Sequence, residues 1–265
     1  FEKIFKREGV TAAFIEGDAF HRYDRIGMKE KVAEEEARGN DNFSHFSPEA
    51  NELEILESVF EQYGRKGTGK TRHYVHDDKE AEIYGAPPGT FTEWADLEPS
   101  DLLFYEGLHG CVKTGAIDLP KHIDLKIGVV PVINLEWIQK IHRDKSLRGY
   151  STEAVTDTIL RRMPDYARYI CPQFSETNIN FQRVPTVDTS NPFEVQDIPT
   201  DSESFVVIRF RDPSTVDFPW LLAMIKDSFM TRPHTLVVPG ARMSLAMELI
   251  LAPLVRHLLS QRRFR

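Results

Sequence analysis

The 265-residue chain has few cysteines and no long hydrophobic run, and these two features argue against a disulfide-stabilised secreted protein and a membrane-spanning protein. The two cysteines, Cys111 and Cys171, provide no disulfide framework, which favours a reduced, cytoplasmic location. The longest apolar run, about residues 127–135, is too short to cross a bilayer, so we expect no membrane partner. Glycine (15) and proline (16) are near average, which excludes collagen-like and linker-dominated chains.

The chain also has fewer basic residues than acidic ones. The chain has 33 lysines and arginines against 41 aspartates and glutamates, a formal net charge of −8. An acidic chain does not favour binding to nucleic acid, and we expect no such partner. A local basic pocket for an anionic small molecule remains compatible with this charge. Apolar residues make up 41% of the chain, enough for a sizeable core, so wholesale disorder is excluded.

Strand-like and helix-like segments alternate along the chain, which predicts an α/β fold with helices on both faces of a sheet. The predicted strands span 12–16, 72–76, 102–105, 125–132, 179–184, 205–210 and 235–238. The predicted helices span 28–38 and 135–145, with others from Ser47-Pro48 to Gly64, after Ser151, and from about Leu245 with a kink at Pro253. We expect one domain over residues 1–265.

Residues 64–71 match the phosphate-loop pattern G-x-x-x-x-G-K-[ST]. That pattern binds phosphate when a strand precedes it and a helix follows it, because the loop and helix amides then point at the ligand. Here a predicted helix precedes the motif and a predicted strand follows it. We therefore interpret the motif as a helix-to-strand connection, with Gly64 as the cap that ends the helix.

Asp18, His21 and Arg25 follow a short apolar strand, where ligands bind in open α/β sheets. An aspartate there can accept a proton from a substrate hydroxyl, and a histidine and an arginine beside it can hold an anionic substrate. The alternative is a solvated turn in which Asp18 caps the next helix.

Glu106 ends the buried run 102–105. A carboxylate at that position can organise Mg²⁺ beside phosphates. The alternative is a carboxylate paired with a neighbouring base. His76 lies on the same face of the predicted strand as Arg72 and Tyr74, and considered alone it is interpreted as a structural residue.

A second cluster is basic, although the chain as a whole has a negative net charge. It contains Lys140, His142, Arg143, Lys145 and Arg148, interrupted by Asp144. Such a basic cluster indicates a phosphate-bearing substrate. The alternative is a solvated helix C-terminus stabilised by the helix dipole, and it applies equally to Arg161 and Arg162.

Several strings occur together in one order: EGDAFHRYDR, FSHFSPEANEL, TRHYVHDD, PGTFTEW, LLFYEGLHG, LKIGVVPVINLEWIQKIHRD and RGYSTEAVTDTILRRM. In this the chain resembles the bacterial phosphoribulokinase family, part of a wider group of P-loop kinases that includes uridine and pantothenate kinases. The resemblance implies a P-loop NTPase-like mixed sheet. It also implies transfer of the γ-phosphate of ATP, with Mg²⁺, to the 1-hydroxyl of ribulose 5-phosphate, giving the ribulose 1,5-bisphosphate of the Calvin cycle.

The resemblance also implies residue roles. Asp18 matches the catalytic base, and Glu106 matches an acidic group near the metal and nucleotide. Arg143 and Asp144 match catalytic positions at the start of a lid over about residues 143–165. The positions that match ribulose 5-phosphate-binding residues are His21, Arg25, His76, Lys140 and Arg148. The positions that match nucleotide-binding residues are Arg161 and Arg162. The resemblance also implies a site for the activator NADH or the inhibitor AMP between subunits of a homo-oligomer, at Arg7, Arg209 and Arg232.

The chain departs from the family pattern in two places. It starts inside a helix that ends near Gly9, so we expect the family's first strand and phosphate loop to be missing and this stretch alone to be inactive. Glu16 stands where the plant-type branch has a redox-switched cysteine, so we expect no thioredoxin control by that route. The alternative functions are a nucleoside kinase of the same group and a non-catalytic, effector-binding paralogue.

Overall fold

The computed structural model describes residues 1–148, 151–194 and 197–262, except the side chains of 147, 148 and 262. They divide into two compact units. Unit 1 comprises Phe1–Asp124 and Arg161–Glu176, and unit 2 comprises Leu125–Leu160 and Thr177–Arg265. The single domain and the lid over about residues 143–165 stay predictions, and positions 149 and 150 of that lid lie outside the described residues.

Unit 1 is built on a pair of parallel strands. Its helices are α1 (Glu2–Glu8), α2 (Arg25–Ala37), α3 (Leu53–Lys66) and α4 (Asp78–Tyr84), and its strands are β1 (Ala12–Glu16), β2 (Lys70–Thr71), β3 (Ala95–Asp96) and β4 (Leu102–Glu106). β1 pairs in parallel with β4, with Ala12 opposite Leu102 and Glu16 opposite Glu106. β2 and β3 form a short antiparallel pair. The two parallel strands therefore end side by side.

The core of unit 1 forms because β1 alternates and α3 is amphipathic. Ile15 of β1 is buried, and α3 presents Leu56 and Phe60 to the same cluster at helical spacing. Phe14 points to the opposite face of β1, where it packs near Phe104. Helix α1 covers that face with further aromatic rings.

Unit 2 is organised by a five-stranded mixed sheet in the order β5-β6-β7-β9-β8. Its strands are β5 (Ile127–Val130), β6 (Ile179–Pro185), β7 (Ser204–Phe210), β8 (Phe229–Arg232) and β9 (Thr235–Pro239), and its helices are α5 (Ile133–Arg148), α6 (Thr152–Asp165, with residues from Arg161 in unit 1), α7 (Phe218–Met224) and α8 (Met243–Arg262). β5 and β6 are parallel and the other pairs are antiparallel. The α/β class with mixed sheets and helices agrees with the sequence-based prediction.

The start of α3 was predicted wrongly. Ser47-Pro48 opens only a short 3₁₀ turn, Pro48–Ala50, and the α-helix begins at Leu53. Asn51 between them is extended, and the amide of Glu52 donates to the carbonyl oxygen of Phe20, 2.7 Å away. These long-range bonds separate the turn from the helix, which local capping signals do not reveal.

The motif at 64–71 is a helix-to-strand connection, as the sequence predicted, because α3 precedes it and β2 follows it. The predicted cap at Gly64 is wrong. The helix continues to Lys66 and ends at Gly67, whose φ of 65° is in the left-handed region that favours glycine.

The strand predicted over 72–76 is also wrong: only Tyr74 makes a β-bridge there, with Phe91. The sequence further missed α4, α7 and β8. Helix α4 buries none of its residues, so it lacks the periodic apolar stripe from which a helix is predicted.

Helix α8 is relevant to the membrane prediction. Residues Gly240–Gln261 are long and apolar enough to cross a membrane by length and composition alone. One such helix is weak evidence for a membrane protein. α8 carries Glu248 and Arg256, and it buries Ala246 and Leu251. We therefore interpret α8 as a helix of the fold, and the cytoplasmic location stays a prediction.

The strand ends of unit 1 provide a stability test. A Cβ atom on Gly107 would lie 2.5 Å from the Tyr105 hydroxyl and 2.7 Å from Cα of Gly17, both far inside contact distance. We expect Gly107→Ala to lower the free energy of unfolding by about 1–3 kcal/mol, measured by urea unfolding. Gly115→Ala is the matched control, because a Cβ there meets nothing within 4 Å. Equal stability of the two variants would contradict the close approach.

Candidate active site

The carboxyl ends of β1 and β4 bring three carboxylates to one edge of unit 1. Glu16 and Glu106 are opposite each other in the parallel register, and Asp18 follows two residues after Glu16. Gly17 and Gly107 allow the two backbones to meet: a Cβ on Gly17 would lie 2.8 Å from Cα of Gly107. This edge is where α/β sheets bind ligands.

Asp18 lies in a 3₁₀ turn, Gly17–Phe20, with its side chain 43% exposed. Its Oδ1 is 3.1 Å from Nε2 of His21, and its Oδ2 is 3.6 Å from Nε2 of His76. The hydrogen bond from His21 holds the pKa of Asp18 below its usual value, although burial works in the opposite direction. Asp18 is therefore an ionised, accessible carboxylate near neutral pH.

The capping alternative for Asp18 fails. The residue that caps α2 is Asp24, whose side chain accepts a hydrogen bond from the amide of Gly27 at 2.7 Å. The side chain of Asp18 contacts His21 and His76 instead.

Arg72 holds the turn that carries Asp18, a role that the sequence analysis missed. Its Nε donates to the carbonyl oxygen of Ala19 at 2.8 Å, and its Nη2 donates to that of His21 at 2.7 Å. The guanidinium also lies over the rings of Phe91 and Trp94, 3.7 and 4.6 Å from their centroids. Sequence alone provides no signal for these contacts, because Ala19 and His21 are more than 50 residues away along the chain.

Two further histidines lie behind His21. The ring of His45 is 4.2 Å from that of His21, at an interplanar angle of 32°. Burial lowers the pKa of His45 to about 3 and that of His109 to about 4. Both side chains are therefore neutral at physiological pH. The sequence contains them in the strings around residues 45 and 109, but it does not show that the strings meet.

Arg25 and His76 are joined at the exposed side of this cluster. Nη2 of Arg25 donates to the carbonyl oxygen of His76 at 2.8 Å, and the amide of Arg25 donates to that of Gly89. The structure thus brings Asp18, His21, Arg25 and His76 together, as the resemblance implies.

Glu106 shows the opposite electrostatic behaviour to Asp18. Burial raises its pKa, and the negative charges of Asp18 and Glu16 raise it further. Among the described residues no basic side chain forms an ion pair with Glu106, so the alternative of a base-paired carboxylate fails. Opposite shifts of neighbouring carboxylates are a recognised mark of functional sites.

Arg161 and Arg162 belong to the part of α6 counted with unit 1. Nη1 of Arg161 donates to the carbonyl oxygen of Phe43 at 3.1 Å and lies 3.9 Å from Oε1 of Glu36. Arg162 lies close enough to His45 to lower its pKa. Their nucleotide roles stay predictions.

Unit 2 carries a second part of the predicted site, on α5. Asp144 is buried, and its Oδ2 accepts a 2.6 Å hydrogen bond from Nζ of Lys140, one helical turn earlier. Nε of Arg143 lies 3.4 Å from Oδ1 of the same carboxylate. Asp144 therefore neutralises and orients these two cations. Arg148 ends the helix, and its side chain is outside the described part of the chain.

Two of the three predicted effector arginines share one row of the unit 2 sheet. Arg209 of β7 and Arg232 of β8 both lie opposite Thr235 of the intervening strand β9. Arg7 is in the last turn of α1 in unit 1, with its Nε 3.1 Å from Oε1 of Glu8. The sheet register, which no sequence pattern gives, places Arg209 and Arg232 in the same row, on either side of β9.

The chain is similar to known proteins over nearly its whole length. The family model described as "Phosphoribulokinase / Uridine kinase family" matches residues 1–190. A phosphoribulokinase of Sinorhizobium medicae is 68% identical over 99% of this chain and 90% of that relative, and one of Nitrobacter vulgaris is 63% identical over 99% and 91%. The solved structure of a phosphoribulokinase from Rhodobacter spheroides superposes with a TM-score of 0.92 at 57% identity, covering 99% of this chain and 92% of that chain.

The α/β fold and the phosphoribulokinase relatives together identify this protein as a kinase, an enzyme that transfers a phosphoryl group and binds a nucleotide. The chain belongs to the phosphoribulokinase/uridine kinase family. The comparisons do not support the expectation that a first strand and a phosphate loop are missing, and it stays a prediction.

The two neutral histidines make stability depend on pH. Unfolded histidine takes up a proton near pH 6.5, whereas His45 and His109 resist protonation down to about pH 3 and 4. Below pH 6.5 the unfolded chain therefore binds more protons, and each histidine lowers the free energy of unfolding by about 1.4 kcal/mol per pH unit. We expect the loss between pH 7 and pH 5 to shrink by about 2 kcal/mol in His109→Gln, measured by urea unfolding at both values.

His257→Gln is the control for that measurement, because His257 is an exposed histidine on α8. Its loss of stability on acidification should equal that of the unmutated protein. An equal loss in His109→Gln would show that His109 does not titrate as its burial requires.

Proposed function

We propose that this kinase transfers the γ-phosphoryl group of ATP to the 1-hydroxyl of ribulose 5-phosphate, the Calvin-cycle reaction named for its relatives. The observation that carries the proposal is the Asp18 constellation: an ionised, half-exposed carboxylate held by His21 on one oxygen, with His76 and Arg25 beside it. A base in reach of a hydroxyl, surrounded by groups that bind an anion, is what phosphoryl transfer to a sugar phosphate needs.

In this mechanism Asp18 accepts the proton of the 1-hydroxyl as the hydroxyl oxygen forms its bond to the γ-phosphorus. The bond between that phosphorus and the bridging oxygen breaks, and its electron pair leaves with ADP. Oδ1 of Asp18 is engaged by His21 at 3.1 Å, whereas the nearest histidine nitrogen to Oδ2 is 3.6 Å away. Oδ2 is therefore the oxygen that takes the proton.

The substrate's phosphate is assigned to the cationic and imidazole groups. His21, Arg25 and His76 supply such groups in unit 1, and Lys140 and Arg148 supply them in unit 2. Arg143 stabilises the charge on the transferred phosphoryl group. Asp144 is buried against Lys140 and Arg143, which supports a role in orienting both cations.

Mg²⁺ bound with ATP is part of the proposal, and the residues fit it. Glu106 has a raised pKa because it is partly buried near the charges of Asp18 and Glu16, so this edge has an excess of negative charge. Carboxylate oxygens are the protein ligands that Mg²⁺ prefers. The ion would neutralise charge on the nucleotide phosphates. Glu106 would hold it, directly or through its waters, and Arg161 and Arg162 would face the nucleotide.

The nucleoside-kinase alternative fits this site less well, because two histidines and Arg25 surround Asp18 with groups suited to a sugar phosphate. The non-catalytic alternative, and the expectation that this 265-residue chain alone is inactive, stay open to a kinase assay of the chain as it stands.

NADH activation through a homo-oligomer is the regulatory part of the proposal. The shared row of Arg209 and Arg232, on either side of Thr235 of β9, supports it, because each guanidinium group can pair bidentately with one phosphate of a pyrophosphate. Arg7 is the third arginine assigned to this site between subunits.

The Asp18 assignment predicts a division of kinetic effects. Asp18→Asn keeps the shape of the side chain but removes the proton acceptor, so kcat should fall by about 10²–10⁴-fold or more, with little change in ribulose 5-phosphate binding. Arg25→Gln should instead raise KM, because Arg25 is assigned to substrate binding alone. His21 contacts Asp18, so His21→Asn should change both constants. Steady-state assays measure all three, and an unchanged kcat in Asp18→Asn would contradict the role of the base.

The effector assignment predicts loss of activation without loss of catalysis. Arg232→Gln should abolish the response to NADH and leave basal activity largely intact, because Arg232, on β8, is not among the residues assigned to catalysis or to substrate binding. The measurement is activity against NADH concentration. Arg242→Gln, an exposed arginine just before α8, is the control and should respond normally. A normal response in Arg232→Gln removes that residue from the site, and no response in the unmutated protein removes the whole assignment.

A further inference from the structure

Asn51 is a buried amide whose orientation is determined by its neighbours. It is 2% exposed, in the extended link before α3. Its Nδ2 donates to the carbonyl oxygens of His45 and Ser47, at 3.0 and 2.8 Å. These two bonds use both protons of the amide nitrogen, which also lies 3.4 Å from Nε2 of His109, and Oδ1 is left as an acceptor.

That acceptor faces His21. Oδ1 of Asn51 is 2.8 Å from Nδ1 of the imidazole, so the hydrogen-bond network assigns a proton to Nδ1. In a neutral ring, Nε2 then has no proton and presents a lone pair to Oδ1 of Asp18, 3.1 Å away. A second proton, on Nε2, makes this contact a charge-assisted hydrogen bond from His21 to the ionised carboxylate of Asp18.

The backbone keeps this pair in place. His21 and Asn51 form a β-bridge, and the amides on either side link the same two segments: Arg22 donates to Ala50 at 2.8 Å, and Glu52 donates to Phe20 at 2.7 Å. These two backbone hydrogen bonds therefore set the spacing at which the side chains of His21 and Asn51 meet.

The other groups around His21 do not compete for its Nδ1 proton. The carbonyl oxygen of His21 is held by Arg72, the ring of Tyr74 meets the imidazole edge-on, and His76 lies on the far side of Asp18. His45 and His109 are neutral at physiological pH, and Arg162 acts on His45. Asn51 is the group in hydrogen-bond contact with Nδ1.

We propose that Asn51 is a positioning residue that holds a proton on Nδ1 of His21 and thereby turns Nε2 toward Oδ1 of Asp18, which leaves Oδ2 as the oxygen that accepts the substrate's proton. The tautomer is a property of the folded chain alone. The consequence for catalysis rests on the proposed function.

The test compares two substitutions by ¹⁵N NMR of histidine-labelled protein at alkaline pH, where the imidazole is neutral. In the unmutated protein, His21 should hold its proton on Nδ1. Asn51→Leu removes the acceptor and should shift the population toward the Nε2 tautomer. Asn51→Asp keeps an acceptor oxygen but loses the donors to His45 and Ser47, and should retain the Nδ1 tautomer. The His21 signal is assigned from its loss in His21→Asn.

Ser44→Ala is the matched control for a general disturbance of the loop. The buried Ser44 hydroxyl accepts from the amide of Phe46 at 3.2 Å and makes no contact with His21. This variant should retain the Nδ1 tautomer. A tautomer shift in Ser44→Ala equal to that in Asn51→Leu would overturn the specific role of Asn51.

Kinetics test the catalytic consequence. Groups that orient a functional histidine typically change activity by about 10–100-fold. We expect that loss in kcat for Asn51→Leu, with a smaller change in KM for ribulose 5-phosphate, and partial rescue in Asn51→Asp. A shifted tautomer with unchanged kcat would overturn the catalytic part.

Two outcomes separate this inference from the proposed function. If the unmutated protein does not phosphorylate ribulose 5-phosphate, the proposed function fails, while the tautomer measurement still decides the role of Asn51. If neutral His21 in the unmutated protein holds its proton on Nε2, the inference is overturned whatever the activity. That measurement needs no variant, so it decides the question even if Asn51→Leu does not fold.

Discussion

The parallel pairing of β1 with β4 is the constraint on which the candidate site depends. Because the two strands are in register to their last residues, Glu16 and Glu106 end side by side, and Asp18 follows at once. The pairing is possible at that edge because Gly17 and Gly107 lack side chains where the backbones touch. A larger residue at either position would separate the strand ends, and with them the base from the acidic group assigned to the metal.

The electrostatics of this edge follow from what each carboxylate meets. Asp18 is held ionised by His21, whereas Glu106 has no basic partner among the described residues and is partly buried beside two negative charges. Burial keeps His45 and His109 neutral, so neither of them adds a positive charge beside His21 and Asp18. One carboxylate is thus suited to accept a proton and the other to bind a cation, although both lie at the end of the same strand pair.

Much of the fold was predictable because local patterns are strong in it. The alternation in β1 and the apolar run of β4 predict strands that the structure contains, and the spacing in α3 predicts its buried face. The errors occur where contacts from elsewhere in the chain override local signals. The amide of Glu52 bonds to Phe20, which delays the start of α3. The segment from Arg72 to His76 bonds to residues 89–92 through a single β-bridge and irregular backbone hydrogen bonds, which do not form a regular strand.

The sequence by itself determined the family and the residues that bear chemistry, because long strings around Asp18, His76 and Glu106 appear in order and residue type limits what each side chain can do. Only the tertiary structure decided how they act. It placed Asn51 against His21, Arg72 beneath the turn, and Arg209 and Arg232 on one row of a sheet. These relations join residues that are 23 to 53 positions apart, and hydrogen-bond direction, burial and strand register exist only once the chain has folded.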